Sequence, residues 1–267
     1  KGDPDQIAII SIGENISPKT LTFKELNHRV SSVQKGLSKL GVKKGTIVAG
    51  FVPHCAETVI SMLAVSSLGG VWTSCSPDFG ANGVVDRFGQ VNPHILITSN
   101  GYSYNGKLFK LEEKVNGVLE SIDSIRHIVE IEYVDIKSNF NHDSIISFGD
   151  ILNDEQTQPT FEQLPFDHPL FIMYSSGTTG PPKSIVHSSG GTLIQHMKEH
   201  QLHCDIKAGK STMFWFTTCG WMMWNWLVSG LSSGSTIVLY DGSPSYPSLE
   251  RLWRSEEHTS ELQSPCN

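Results

Sequence analysis

Nowhere in the 267 residues does an uninterrupted apolar run approach the roughly 20 residues that a membrane-spanning helix needs. No secretory signal pattern opens the chain either. Positive charge is in short supply, with 20 Lys and Arg against 27 Asp and Glu and a net charge of −7. That balance leaves no basic stripe, which argues against nucleic acid and anionic membrane surfaces and leaves small molecules as the expected partners. The five cysteines, Cys55, Cys75, Cys204, Cys219 and Cys266, are an odd number without a C-x-x-C pair. Nothing in that spacing marks a disulfide framework, and a reduced, cytosolic setting is the simplest reading. No internal repeat at a solenoid period is present. An initiator methionine is also lacking at Lys1, which leaves room for an upstream segment.

What is present is an ordinary globular composition, 38% hydrophobic and 18% charged, long enough for one large domain or two small ones. Thr22-Phe23-Lys24-Glu25 has the form of a capping box, and Leu26, Val30, Val33, Leu37 and Leu40 follow at helical spacing until Gly41. A strand over 46–52, a helix over 57–68 closed by Gly69-Gly70, and strands over 71–74, 94–98 and 127–134 continue the pattern. Strands alternating with helices predict an α/β fold with a parallel, doubly wound sheet. Residues 135–169 are polar and irregular, and read as a connection into a second unit. That unit is expected to hold a strand over 170–174, a helix over 192–203, a strand over 212–217, an apolar helix from Trp221 and a strand over 236–240.

The strand over 170–174 runs into Tyr174-Ser175-Ser176-Gly177-Thr178-Thr179-Gly180-Pro181-Pro182-Lys183. Hydroxyls at Ser175, Ser176, Thr178 and Thr179, with Gly177 and Gly180 free to turn backbone amides toward an anion, make a hydrogen-bonding nest, and Lys183 adds a point charge. A loop at a strand's carboxyl end is where open α/β sheets bind ligands. It is not a Walker A loop, because Pro182 stands where that pattern places a glycine before the lysine. Composition alone also admits a flexible Ser/Thr/Gly linker.

At these residues the chain resembles the adenylate-forming enzymes, the superfamily of acyl-CoA synthetases and firefly luciferase. Three further segments resemble the branch of that superfamily that activates acetoacetate: Phe161-Glu162-Gln163-Leu164-Pro165-Phe166, Gly190-Gly191-Thr192-Leu193-Ile194-Gln195-His196 and Gly220-Trp221-Met222-Met223-Trp224-Asn225-Trp226. The resemblance runs from about residue 5 to 253. It implies an incomplete N-terminal domain of the adenylate-forming fold, with mostly parallel sheets and helices on both faces. Residues 1–165 would form its first α/β subdomain and 166–253 the start of the second. It also implies ATP, Mg2+ and CoA as cofactors, with Ser175, Ser176, Gly177, Thr178, Thr179, Gly180 and Lys183 on the ATP phosphates. A carboxylate substrate would attack the α-phosphate, giving an acyl-adenylate that the CoA thiol then cleaves. Acetoacetate is the acid implied. Acetate and propionate are the alternatives within the class, and a non-catalytic nucleotide-binding module is the alternative outside it. The resemblance puts the magnesium carboxylate, the ribose aspartate and the adenylation lysine beyond the last residue here, so this stretch alone is expected to be inactive.

Four of the six tryptophans fall within residues 215–226. Most of that run reads as a buried helix, apolar on all faces. By resemblance Trp221, Met222 and Met223 line the acyl pocket, where flexible methionines could shape a small cavity. Lys107, in Tyr102-Ser103-Tyr104-Asn105-Gly106-Lys107, stands where related enzymes place arginines on the CoA 3′-phosphate; the arginine pattern is not reproduced, and an exposed loop lysine is the alternative. His196, His200 and His203 share a helix face at i, i+4 and i+7, but Met197 occupies the position of the HExxH glutamate. A solvated or locally hydrogen-bonded face is therefore expected, and no metal site. Gly230-Leu231-Ser232-Ser233-Gly234 spells a nucleophile elbow, yet a helix precedes it and a strand follows, the reverse of what that motif needs. Residues 254–267 have one large apolar residue and no amphipathic period. They resemble a translated sequencing adapter and are expected to be a non-native tail.

Overall fold

Thr22 commits the chain to its first helix by satisfying amides that a helix start would otherwise leave bare. In the computed structural model, which describes residues 3–152, 158–175 and 180–252, the Thr22 hydroxyl accepts the Glu25 N–H at 3.1 Å and the Glu25 carboxylate accepts the Thr22 N–H at 2.7 Å. Helix α1 (Phe23–Lys39) then buries Leu26, Val30, Val33 and Leu37, the stripe read from the sequence. It is preceded by an antiparallel hairpin of β1 (Ile7–Gly13) and β2 (Ile16–Thr22). Next come β3 (Ile47–Phe51), α2 (Ala56–Ser67), β4 (Val71–Cys75), α3 (Ala81–Phe88) and β5 (Ile95–Ser99). A small hairpin of β6 (Gly101–Tyr104) and β7 (Lys107–Lys110) leads to α4 (Glu112–Ser121), β8 (His127–Ile131), β9 (Ile145–Ser147) and the single turn α5 (Phe148–Ile151). The chain continues through β10 (Pro169–Tyr174), β11 (Ser184–Ser188), α6 (Ser189–Lys198), β12 (Thr212–Phe214), α7 (Met222–Ser229) and β13 (Thr236–Asp241).

These strands form two main sheets. The seven-stranded one has the order β11-β10-β4-β3-β5-β8-β9 and is parallel except for the β10–β11 pair. The four-stranded one has the order β12-β13-β1-β2. Central strands of the larger sheet are apolar on both faces because both faces are covered. Val48, Ile95, Ile97 and Val129 pack with α1, α2 and the inner face of the smaller sheet, while Ala49, Phe51, Leu96 and Ile128 pack with Val84 and Phe88 of α3 and Val115 and Val118 of α4. A side chain as fully buried as Leu96 contributes about 2 kcal/mol of apolar transfer.

The boundary drawn at residue 165 does not coincide with a division between sheets. β10 and β11 join the sheet built by residues 47–147, and β13, with β12 on its outer side, pairs with β1 from the chain's start. Sequence-distant parallel pairing of this kind leaves no local trace in the sequence. The polar connection over 135–169 instead straps the body together: the Gln34 side chain accepts the Thr160 N–H at 3.0 Å, and the Glu162 N–H reaches the Ser67 carbonyl at 2.9 Å. Residues 253–267, which include the expected tail, lie outside the described residues.

Candidate active site

The loop after β10 returns as a strand that the sequence reading did not include, ahead of the helix expected over 192–203. Tyr174 pairs with Ser184, and β11 runs antiparallel to β10 before α6 begins. The loop is therefore the tip of a hairpin at the sheet's carboxyl edge. Its neck is closed twice: the Ser175 N–H donates to the Lys183 carbonyl at 3.0 Å, and the Lys183 N–H donates to Ser175 Oγ at 3.1 Å. Gln90, which the sequence reading did not single out, anchors the far side by donating to the Pro182 carbonyl at 2.7 Å and accepting from Ser184 Oγ at 3.2 Å. Lys183 is exposed, and among the described residues no carboxylate pairs with it. Gly180 has open space where a Cβ would stand. Ser176, Gly177, Thr178 and Thr179 lie outside the described residues. His187 packs its ring against Phe171 at 5.1 Å.

The aromatic run is not one buried helix. After β12, residues 215–218 are irregular and 219–220 form a turn, and α7 begins only at Met222. Trp224, Leu227 and Val228 bury one face of α7, whereas Trp221 is 61% and Met222 46% exposed, and Met223 is half-buried. The physical reason lies at Cys219-Gly220, which the Ser74 hydroxyl holds over the end of β4 by donating to the Cys219 carbonyl at 2.6 Å. That attachment breaks the helical path and leaves Trp221 as the residue before the helix. The amide of Asn225 contacts the Met173 sulfur at 3.0 Å, tying α7 to β10. Trp221, Met222 and Met223 thus stand near the strand that feeds the loop, as an accessible apolar surface.

Just past the β4 end is a cavity of about 320 Å³, with Ser76, Asp78, Tyr102, Phe216, Tyr240 and Asp241 among its lining. Tyr102 stacks on Phe109 at 5.1 Å, and the Lys114 ammonium lies 5.6 Å from the Tyr102 ring while donating to the Pro77 carbonyl. Arg87 lies 4.7 Å from the centre of the Phe79 ring and 6.0 Å from that of Tyr174, the last residue of β10 before the loop. Lys107 is exposed on β7, just past the hairpin turn and outside the cavity lining. Burial pushes the Asp241 carboxyl up to about 6, helped by the Glu14 and Asp78 charges and opposed by the His54 N–H, 2.9 Å away, and the Tyr133 hydroxyl. His54 is buried with both ring nitrogens short of a hydrogen-bond partner, and desolvation lowers it to about 4 against the nearby Tyr240 and Thr217 carbonyls.

The histidine face, expected to be solvated or locally hydrogen-bonded, runs past the end of α6 and is buried at two of its three residues. His196 is buried and bonded to Ser229 Oγ at 2.8 Å, and His200 is fully buried 4.7 Å from the Trp226 ring. α7 covers this face, which is why it is dry. Only His203, of the three, is exposed. No group of three or more His, Cys, Asp or Glu able to hold a metal occurs among the described residues. Ser232 sits in the turn between α7 and β13 and donates to the Ser229 carbonyl, so it has no nucleophile-elbow setting. The four described cysteines are unbridged, and no helix among the described residues is long and apolar enough to cross a membrane.

A hydroxyl- and glycine-bearing hairpin with an exposed lysine, an apolar surface and an aromatic-walled cavity meet at the carboxyl edge of a doubly wound sheet. Such an arrangement suits a site that holds a nucleotide's phosphates beside a second organic substrate. The model of the AMP-binding enzyme family matches residues 1–259, and the chain belongs to that family. It is 47% identical over 241 residues to the acetoacetyl-coenzyme A synthetase of Rhizobium meliloti (strain 1021), covering 90% of this chain and 37% of that protein. A malonamoyl-CoA synthetase of Penicillium aethiopicum is 41% identical over 254 residues, covering 91% and 34%. The solved structure of acetoacetyl-CoA synthetase from Streptomyces lividans superposes with a TM-score of 0.91 at 43% identity, covering 96% of this chain and 39% of that one. The chain spans under two-fifths of the length of these relatives.

Proposed function

We propose that this chain is the phosphate-engaging part of an acid–thiol ligase that converts acetoacetate, CoA and ATP to acetoacetyl-CoA, AMP and pyrophosphate through an acyl-adenylate. The observation that carries the reading is the β10–β11 hairpin, which brings Ser175, Gly180 and the exposed Lys183 to the sheet's carboxyl edge. Phosphoryl transfer asks the protein mainly for positioning and charge stabilisation. In this reading residues 175–183 grip the β- and γ-phosphates through amides and hydroxyls, and Lys183 neutralises charge on the leaving pyrophosphate. The family's reaction uses Mg2+, which usually keeps several waters and binds through substrate phosphates. The described residues offer no cage for it, so no step here runs through the metal.

Trp221, Met222 and Met223 then form the wall beside the acyl group. The cavity under the β6–β7 hairpin takes part of CoA, with Lys107 outside it as a candidate phosphate partner. A cytosolic location accords with the unbridged cysteines. The test is Lys183→Ala in the complete enzyme, followed by acetoacetate-dependent exchange of pyrophosphate into ATP. A fall of about a hundredfold is expected, the scale of losing one charge-stabilising donor; unchanged exchange would overturn the assignment. Running the wild type with acetoacetate, acetate and propionate decides the acid, and a preference for acetate would reject acetoacetate.

A further inference from the structure

Glu14 follows β1 and is 3% exposed, an unusual place for a carboxylate with no salt-bridge partner among the described residues. Three backbone amides satisfy it. Oε1 accepts the Asn105 N–H at 2.9 Å and the Ser243 N–H at 2.5 Å, and Oε2 accepts the Gly106 N–H at 2.9 Å. Asn105 and Gly106 form the turn of the β6–β7 hairpin, both with positive φ, as a tight two-residue turn demands. Ser243 lies just past β13, and its carbonyl accepts the Tyr240 hydroxyl at 2.8 Å. One carboxylate therefore joins two chain segments that are more than 130 residues apart in sequence.

Both segments line the cavity. Tyr102, Tyr104 and Phe109 come from the hairpin, while Tyr240, Asp241 and Gly242 come from the end of β13. The hairpin pairs with neither main sheet, so no ladder of hydrogen bonds fixes its distance from β13. Gly242 has φ +142°, and a Cβ there would stand 2.6 Å from Glu14 Cγ. The chain thus keeps room for the carboxylate at a position that disfavours other residues.

We propose that Glu14 is a positioning residue that sets the width of this cavity, and through it the KM for CoA. The proposal rests on the reading that the cavity receives part of CoA. Glu14 touches no substrate in this scheme and acts only through the hairpin turn and Ser243.

The test uses the complete enzyme and two half-reactions, pyrophosphate exchange driven by acetoacetate, which needs no thiol, and acyl-CoA formation. Glu14→Ala should raise the KM for CoA about tenfold while exchange stays within twofold of wild type. Glu14→Gln keeps the shape and one acceptor, and should fall between wild type and Glu14→Ala. Amide hydrogen exchange at Asn105, Gly106 and Ser243 should speed up in the same order. Tyr104→Ala, an exposed cavity wall, should raise the KM for CoA without touching Glu14. Loss of exchange and thiolysis together in the Glu14 variants would mean a scaffolding role and overturn the proposal. An unchanged KM for CoA in Glu14→Ala, with Tyr104→Ala still effective, would overturn it as well. If neither Tyr104→Ala nor Glu14→Ala moves the KM for CoA, the cavity does not serve CoA and both readings fail.

Discussion

Replacing Asp241 by asparagine should stabilise the chain at pH 7 and have no effect near pH 4. The carboxyl is pushed from an ordinary 3.8 to about 6 because it is buried beside Glu14 and Asp78. A folded-state pKa above the unfolded one means that the group's favourable contribution is full below 3.8 and lost as pH rises through about 6. At about 1.4 kcal/mol for each unit of pKa, the ionised form would cost about 3 kcal/mol at pH 7. The carboxyl lines an open cavity, however, and solvent reaching it reduces that figure to roughly 1.5 kcal/mol. Asparagine keeps an acceptor for the His54 N–H and carries no charge. Its neighbour works in the opposite sense. His54 is depressed from 6.5 to about 4, so its contribution is full above 6.5 and is lost as pH falls through 4. In the wild type the two contributions oppose each other between pH 6.5 and 4, and Asp241→Asn should expose the histidine's acid loss. Urea unfolding followed by tryptophan fluorescence at pH 4, 5, 6 and 7 measures this. The variant's advantage should shrink steadily toward zero at pH 4. Curves that stay parallel across the range, or a variant less stable at pH 7, would refute the assignment of a raised carboxyl pKa to burial.

Two further substitutions test the scaffold. Thr22→Ala removes the hydroxyl half of the capping box and should cost about 1 kcal/mol, read from the urea midpoint at unchanged slope. Gly50→Ala places a methyl 2.6 Å from the Trp72 ring, which is 1% exposed and has no room to retreat; overpacking of this kind should cost roughly 1–3 kcal/mol in the same assay. A loss below about 0.5 kcal/mol would mean that the strand shifts more freely than its packing suggests.

Elements whose cause is local were legible in the sequence. The capping box and the Leu26–Val30–Val33–Leu37 stripe fixed α1 to within a residue or two, and short apolar runs located β3, β4, β5 and β10. The order of the sheets was not legible. The pairing of β1 with β13 joins residues about 230 positions apart, and nothing in either strand names its partner. β11 was missed for a related reason. Ser184-Ile185-Val186-His187-Ser188 is short, follows a double proline, and exposes Ile185 and Val186, so it carries no alternation between an apolar and a polar face.

The candidate site divides along the same line. The loop was visible because its chemistry resides in residue types at consecutive positions, and those types say what they can bind. Composition alone read most of the run around Trp221 and Met222 as a buried helix, because apolar residues ordinarily end up inside, and only the resemblance put these two at a pocket wall. Their exposure follows from one hydroxyl, Ser74, bonding a carbonyl 145 positions away. Glu14, Gln90 and Arg87 gave no signal, since a charged or amide residue next to a strand or on a helix is ordinarily solvated. What makes each of them specific is the set of distant groups it meets: amides from two cavity walls for Glu14, the loop's far side for Gln90, and two aromatic faces for Arg87. Local sequence therefore announces which ligand chemistry a site offers. The dimensions of the site are set by polar contacts between segments far apart in the chain, and those contacts are the ones that substitution at Glu14 would disturb.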